Sequence, residues 1–264
     1  MRVVHERHRV MTTVPYTRAR AGGGTEHTGL TVDRIRVDSV PHGCDAVIAT
    51  GDLQGIANSP WGGDPVLLGI AVTDYITVWS EQGLLPPPER IGIVLAGDLY
   101  SAPRADLRGA SGDVADVWLA FAALGGPFLV GVAGNHDVID DATVTEIRPD
   151  AVLLDGTEAE RAGDLFAGIS GIIGDPRQPG RTADAAFLHR LDRLVANRPS
   201  LLTLHEGPSG EHPGQLGNPL IRKHLEQRAP PLTVCGHVHW DRPVSRLGTG
   251  HVLNVDDRIA VLTP

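Results

Sequence analysis

The chain has 264 residues, 41% of them hydrophobic, and a formal net charge of −9 at pH 7. This length and apolar content suit one large α/β domain. The acidic balance argues against a protein that coats nucleic acid, because such binding needs clustered cations. We expect no extended nucleic-acid binding, although a nucleotide substrate remains compatible with bound divalent metals, which supply local positive charge.

The N-terminal segment differs in composition from the rest. Residues 1–29 are rich in Arg, Thr and Gly and predict a flexible tail, which leaves residues 30–264 as the domain. No apolar segment of signal-peptide length follows the basic start. The most apolar stretch, residues 117–133, is interrupted by a Gly-Gly-Pro turn and indicates core, not a membrane span. Cys44 and Cys235 are interpreted as small buried residues, so we expect a cytoplasmic protein.

Short apolar segments predict a series of buried strands. A first strand is expected over residues 34–40 and a last strand pair around Asp256-Asp257. Between them, five apolar runs end directly in polar residues: 46–50, 91–96, 128–133, 201–204 and 232–235. Such runs are typical of strands buried on both faces of a parallel or mixed sheet. Because ligands in these folds collect beyond the carboxyl ends of the strands, we expect the polar residues to converge on one site.

The intervening segments have helical patterns. Pro65 suits a first helical position, and Gly83 is a plausible stop. The predicted helices cover residues 65–82, 113–124, 182–196 and 218–227. Residues 151–173 are expected to form strands joined by turns. This alternation of strand and helix predicts a layered α/β domain.

The polar residues that follow the five strands form an ordered set of metal-binding side chains. They are Asp52, Gln54, Asp98, Asn135, His136, Asp137, His205, His237 and His239. Each alone has an ordinary structural explanation, since an Asp after a strand is usually a turn or cap residue and a lone His is usually a core residue. Carboxylates, amide oxygens and imidazoles are also the donors that divalent metals use. The joint pattern favours the metal interpretation.

In this order, D-x-Q, G-D, G-N-H-D, H and G-H-x-H, the set resembles the calcineurin-like metallophosphoesterase superfamily. The resemblance runs from about residue 45 to about residue 255. It implies a single-domain sandwich of two mixed β-sheets packed face to face and flanked by α-helices. It also implies a dinuclear metal centre.

The resemblance further implies a role for each residue. The first metal would be held by Asp52, Gln54 and His239. The second would be held by Asn135, His205 and His237. Asp98 would bridge both ions, His136 would be the general acid and Asp137 would orient it. A water activated between the two metals would be the nucleophile.

Two positions depart from the family pattern. The first motif is usually D-x-H, but here position 54 is glutamine, whose neutral amide oxygen is a harder donor than imidazole. Ser101 stands where several branches of the family carry an aspartate. We therefore expect two divalent ions, with manganese favoured and iron, zinc or magnesium as alternatives.

The predicted function is metal-dependent hydrolysis of phosphomonoesters or phosphodiesters, with a phosphorylated small molecule or nucleotide as substrate. One alternative is a non-catalytic protein-binding scaffold on the same fold, although a scaffold does not need His136. Another is a nuclease, for which only Arg104 and Arg108 suggest a basic track. The predicted specificity loops are residues 56–64, 101–112 and 206–217.

Overall fold

The computed structural model describes residues 1–264, which form nineteen strands, five α-helices and one 3-10 helix, Pro88–Arg90. In chain order the strands are β1 Val3–Ala19, β2 Thr25–Val37, β3 Ala46–Gly51, β4 Ile56–Ala57, β5 Val66–Leu67, β6 Ile91–Leu95, β7 Gly112–Asp113, β8 Leu129–Gly131, β9 Asp137–Val138, β10 Val152–Leu153, β11 Thr157–Arg161, β12 Asp164–Ile169, β13 Ile172–Ile173, β14 Arg181–Thr182, β15 Leu201–Glu206, β16 Leu232–Gly236, β17 Val244–Leu247, β18 Gly250–Asn254 and β19 Arg258–Thr263. The helices are α1 Leu68–Glu81, α2 Ala115–Ala123, α3 Asp141–Ile147, α4 Asp184–Ala196 and α5 Pro219–Leu225.

Most strands belong to two mixed sheets. The larger sheet has nine strands in the order β10-β8-β6-β3-β19-β2-β1-β4-β5, and the smaller has six in the order β11-β12-β15-β16-β18-β17. In the larger sheet β3, β6, β8 and β10 run parallel, while β19 runs antiparallel to β3. In the smaller sheet β12, β15, β16 and β18 run parallel. The five strands predicted to carry ligands are therefore present, and their carboxyl ends lie on the same edge within each sheet. The last two strands, β18 and β19, do not form the predicted pair, because they belong to different sheets.

Alternation of side chains along the strands produces four layers. Val47 of β3 and Phe166 of β12 belong to one apolar cluster, which fills the space between the two sheets. The adjacent Ile48 packs instead with the buried faces of α1, α2 and α3. On the other sheet Ala167, next to Phe166, packs with α4 and α5. The structure therefore confirms the predicted α/β sandwich of two mixed sheets with helices on the outer faces.

The structure corrects the sequence prediction for the N-terminal segment. Residues 1–29 do not form a flexible tail, because β1 pairs antiparallel with β2 along most of its length. Val14 and Leu30, which face each other across this pair, are both fully buried. The glycine-rich segment is only the hairpin turn, where Gly23 and Gly24 adopt φ values of 88° and 74°. The folded domain therefore includes the hairpin.

The predicted helices agree with α1, α2, α4 and α5 within a few residues at each end. The short α3 was not predicted; its first turn is capped by Asp140, whose carboxylate accepts the backbone N–H of Thr143 at 2.8 Å. The apolar stretch 117–133 divides between α2 and β8. No helix has both the length and the apolar character that a membrane crossing requires.

Candidate metal centre

Three of the predicted metal ligands have an unusual backbone conformation. Asp52, Asp98 and His237 adopt φ values of 52°, 53° and 69°, in the left-handed region that L-residues rarely occupy. Each lies just beyond the end of a buried strand, β3, β6 or β16. Such a conformation costs roughly 1–3 kcal/mol per residue and is concentrated at functional sites. These sharp turns place the three side chains at the carboxyl edges of the two sheets.

Asp98 occupies the centre of the site and is only 3% exposed. Its Oδ1 accepts the backbone N–H of His136 at 2.9 Å, and its Oδ2 accepts Gln54 Nε2 at 3.0 Å. The Nε2 atom of His205 lies 3.4 Å from the same Oδ2. Burial raises the pKa of Asp98, but His205 and the His136 N–H outweigh it and hold the pKa below its usual value. Asp98 is therefore ionised, and its carboxylate contacts two other predicted ligands, Gln54 and His205.

Asp98, His205 and His237 are close enough to bind one metal ion, because their ligand atoms all lie within 4.8 Å of one another. His205 is fully buried, and its Nδ1 lies 2.8 Å from the carbonyl oxygen of Ala96. Since a carbonyl can only accept, Nδ1 carries the proton and Nε2 presents a lone pair when the ring is neutral. This tautomer is the one that suits a metal ligand.

Two buried polar atoms at the site have no hydrogen-bond partner: Asn135 Oδ1 and His205 Nε2. Leaving such an atom unsatisfied costs roughly 1–3 kcal/mol. Asn135 Oδ1 is an electron-pair donor, and so is His205 Nε2 when its ring is neutral, so a bound cation would satisfy both atoms. A mixture of carboxylate, amide and imidazole groups suits manganese, iron or zinc. The residues present therefore fit a divalent metal.

Asp52 and His237 are joined across the two sheets. The backbone N–H of His237 donates to Asp52 Oδ2 at 2.8 Å, and a Cβ at Gly236 would collide with this carboxylate. Burial, and then the charge of Asp256, raise the pKa of Asp52. Burial, and then His205, lower the pKa of His237 to about 4, so its imidazole is neutral and can bind a metal.

Gln54 and His239 complete the accessible part of the site. Gln54 contacts Asp98 through its amide nitrogen, and its amide oxygen accepts no hydrogen bond. The His239 side chain is 48% exposed, and its Nδ1 lies 3.2 Å from the carbonyl oxygen and 3.4 Å from the Oδ1 of Asp256. The hydrogen bond to the Asp256 side chain is the main cause of a raised His239 pKa. The contact between Asp256 and His239 was not anticipated from the sequence.

The pairing predicted for Asp137 is wrong. Its Oδ2 accepts the backbone N–H groups of Asp98 and Gly134, both at 2.8 Å, and its Oδ1 accepts that of Leu99 at 2.7 Å. The ring of His136 contacts Ser111 instead, with Nδ1 3.1 Å from Oγ. Burial, and then the charge of Asp98, raise the pKa of Asp137 to about 6. Asp137 therefore organises the backbone and does not orient the histidine ring.

Six of the predicted residues line one open cavity of about 540 Å³: Asp52, Gln54, Asp98, His136, His237 and His239. His205 and Asn135 lie outside this lining, and their donor atoms are buried. The wall also includes residues missed at the sequence level, namely Asp256 and Asp257 before β19 and Tyr16, Arg18, Ala19, Ala21 and Glu26 of the β1–β2 hairpin. Alternating apolar residues on both sides of a glycine-rich turn were the signal that could have revealed this hairpin.

The predicted specificity loops have different positions. Residues of the 101–112 loop, Arg108 among them, line the cavity. Arg104 instead pairs with Asp106 at 2.9 Å. Residues of the 206–217 loop line a smaller neighbouring cavity of about 260 Å³, which shares His237 with the first. The 56–64 loop lines neither cavity.

Comparisons with known proteins inform the fold alone. No protein-family model matches the chain, and no curated protein matches it either. The structure is similar to that of TT1561 from Thermus thermophilus, with a TM-score of 0.55 and 17% identity over 81% of this chain and 90% of that one. A second solved structure has the same TM-score at 12% identity, over 82% of this chain and 91% of its own. AQ665 of Aquifex aeolicus, described as a protein of unknown function, overlaps with a TM-score of only 0.33 at 13% identity, over 82% of this chain and 95% of its own.

Proposed function

We propose that this protein is a metal-dependent hydrolase of phosphoester bonds with the metallophosphoesterase form of the α/β sandwich. The observation that carries the proposal is the convergence of Asp98, His205 and His237, with ligand atoms within 4.8 Å. Asn135, whose neighbours Gly134 and His136 both lie against Asp98, adds a buried oxygen without a hydrogen-bond partner. Neither helix capping nor core packing accounts for a buried carboxylate and two imidazoles at one point.

The proposed ligand sets are those that the resemblance implies, and the cluster of Asp98, His205 and His237 supports the second. Asp52, Gln54 and His239 would hold the first ion, and Asn135, His205 and His237 the second. Asp98 would lie between them, because its Oδ2 contacts Gln54 of the first set and His205 of the second. Two divalent ions, with manganese favoured, would supply Lewis-acid activation of a water molecule and would stabilise the negative charge of the phosphoryl group.

His136 is the proposed proton donor to the leaving group. Its Nδ1 contacts Ser111 Oγ, which leaves Nε2 for the leaving oxygen of a substrate in the cavity. Such general acid catalysis typically contributes about a hundredfold to ten-thousandfold in rate. The backbone N–H of the same residue donates to Asp98, so the proton donor is held beside the metal ligands.

The proposed substrate is a phosphorylated small molecule or nucleotide. The cavity has a volume of about 540 Å³, which is typical of pockets that bind small ligands. Arg18 and Arg108 are the cationic residues of its wall, so there is no continuous basic track of the kind that a long nucleic acid would need. We also propose a cytoplasmic location, which the two unpaired buried cysteines support.

Hydrolysis of simple phosphoesters tests the proposal. The protein would be stripped of metal by chelation and assayed on p-nitrophenyl phosphate and bis(p-nitrophenyl) phosphate before and after addition of Mn²⁺. We expect activity only after reconstitution, with loss in Asp98→Asn and no loss in the surface control Asp45→Asn. Equal activity of the stripped and reconstituted proteins, or full activity of Asp98→Asn, would contradict the proposal.

A further inference from the structure

We propose that Asp256 is a positioning residue that fixes the imidazole of His239 for metal binding, and that the N-terminal hairpin holds Asp256 in place. The inference rests on the proposed function, because it requires a cation beside His239. The juxtaposition that carries it is the double contact of His239 Nδ1 with the backbone oxygen and the carboxylate of Asp256.

The need for a positioning residue follows from exposure. His239 is 48% exposed, so neighbouring side chains do not restrict its ring as the core restricts His205. In His205, the Ala96 carbonyl holds Nδ1 and leaves Nε2 free. Asp256 holds the same ring atom of His239, at 3.2 Å through its carbonyl and 3.4 Å through Oδ1. A carboxylate that accepts from His239 Nδ1 also makes Nε2 a better electron-pair donor to a metal.

Strand pairing brings Asp256 to this position. β19 runs antiparallel to β3, and Arg258 at its start pairs with Gly51, immediately before Asp52. Asp256 forms an isolated bridge with Gly51, and its side chain is only 14% exposed. Parallel pairing of β18 with β16 sets Asn254 opposite Cys235 and so brings Asp256 beside His239. Asp256 thus contacts one proposed ligand of the first metal, His239, and pairs with the residue directly before another, Asp52.

The hairpin holds the turn through Asp257, the next residue. Asp257 has a strained φ of 52°. Its Oδ1 accepts the Tyr16 hydroxyl at 2.5 Å, and its Oδ2 accepts Arg18 Nη1 at 2.6 Å. Arg18 Nε in turn donates to Glu26 on β2 at 2.8 Å. Side chains from both strands of the hairpin thus hold the turn at Asp257 through hydrogen bonds. Tyr16 and Arg18 themselves make no hydrogen bond with a proposed metal ligand.

Calorimetric titration with Mn²⁺ tests the role of Asp256. We expect Asp256→Ala to weaken one of two binding events by about tenfold, the lower end of the usual range for such partners, because the backbone carbonyl still holds His239. Asp256→Asn, which keeps the shape of the side chain, should bind with an intermediate affinity. The matched control is Asp192→Ala, which removes a similar carboxylate, 2.9 Å from His224 Nδ1 and remote from the cavity.

A double variant distinguishes positioning from a general structural effect. If Asp256 acts through His239, then Asp256→Ala combined with His239→Ala should bind Mn²⁺ no more weakly than His239→Ala alone. Additive losses would contradict the inference. Unchanged affinities in both Asp256 variants would also overturn it, while binding of two ions by the wild-type protein would leave the proposed function standing. A wild-type protein that binds no Mn²⁺ would overturn both.

The hairpin is tested by Arg18→Ala, with Arg90→Ala as control because Arg90 forms a comparable 2.6 Å ion pair with Asp45 at the surface. We expect Arg18→Ala to weaken the same binding event by about threefold, as is usual for residues that act through a network. Thermal unfolding would verify that each variant is folded. Equal Mn²⁺ affinities in Arg18→Ala and wild type would contradict the role of the hairpin.

Discussion

Asp137 accepts the backbone N–H of Asp98 at 2.8 Å and so fastens the turn after β6 to the turn after β8. The N–H groups of Leu99 and Gly134 donate to the same carboxylate. A Cβ at Gly134 would collide with Asp98, so these two turns approach as closely as glycine allows. The position of the central proposed ligand therefore depends on a neighbouring carboxylate that contacts backbone only.

The first prediction concerns Asp137. Replacement by Ala removes the acceptor of three N–H groups, and we expect the free energy of unfolding to fall by about 2–4 kcal/mol. Urea denaturation would measure the loss. Ser111→Ala serves as the control, since it removes the contact to the His136 ring and should change turnover more than stability. A fully stable Asp137→Ala would show that Asp137 does not organise these turns.

The second prediction separates proton donation from metal binding at His136. His136→Ala should keep both metals, because the backbone N–H that contacts Asp98 remains. Turnover should fall most for substrates with poor leaving groups, which need protonation, and less for activated aryl phosphates. Metal analysis and a leaving-group series would measure both effects. Loss of a metal from the variant would instead identify His136 as a ligand.

The third prediction concerns Gln54. If its amide oxygen binds the first metal, this site should be the weaker and more exchangeable one, and Gln54→His should tighten it and shift preference toward iron or zinc. Gln54→Ala should retain partial activity because water can fill the position. Titrations of the wild type and both variants would test this. Identical first-site affinities in all three would exclude direct ligation by Gln54.

The fourth prediction is a pH dependence of metal binding. Burial lowers the pKa of His205, but Asp98 and Asp52 raise it more, to about 10, so without metal its imidazole is protonated at pH 7. A metal binds only the neutral ring and must displace this proton. Affinity should therefore rise with pH by about tenfold per unit between pH 6 and 9. Calorimetry in buffers of different ionisation enthalpy should detect about one released proton; its absence would contradict ligation by His205.

The positions of the five ligand-bearing strands could be predicted because each is a continuous apolar run that ends in a polar residue. Parallel pairing places Asp98 at one edge of the larger sheet and His205 at one edge of the smaller, and these edges meet in the sandwich. The partner of Asp137 could not be predicted in this way. Asp137 begins the extended segment β9. Because neighbouring side chains of an extended chain point to opposite sides, the Asp137 side chain does not contact the ring of His136, although the two residues are adjacent in sequence.

The hairpin and the turn before β19 escaped prediction for a different reason. β1 has one exposed face, and its many polar residues obscure the alternation that buries Val14 and Tyr16. Asp256 reaches His239 because β18 pairs in parallel with β16, which sets the segment after Asn254 beside the segment after Cys235. Contacts of this kind depend on strand order, and local sequence patterns carry no information about it.

The most direct test of the central claim is a titration of metal-free protein with Mn²⁺, in which bound metal and hydrolysis of an aryl phosphate are measured on the same sample. The proposed ligand sets predict that activity rises until two equivalents are bound and then remains constant. In Asp98→Asn the rise should be abolished, because this carboxylate would contact both ions. Hydrolysis that does not depend on bound metal would contradict the account.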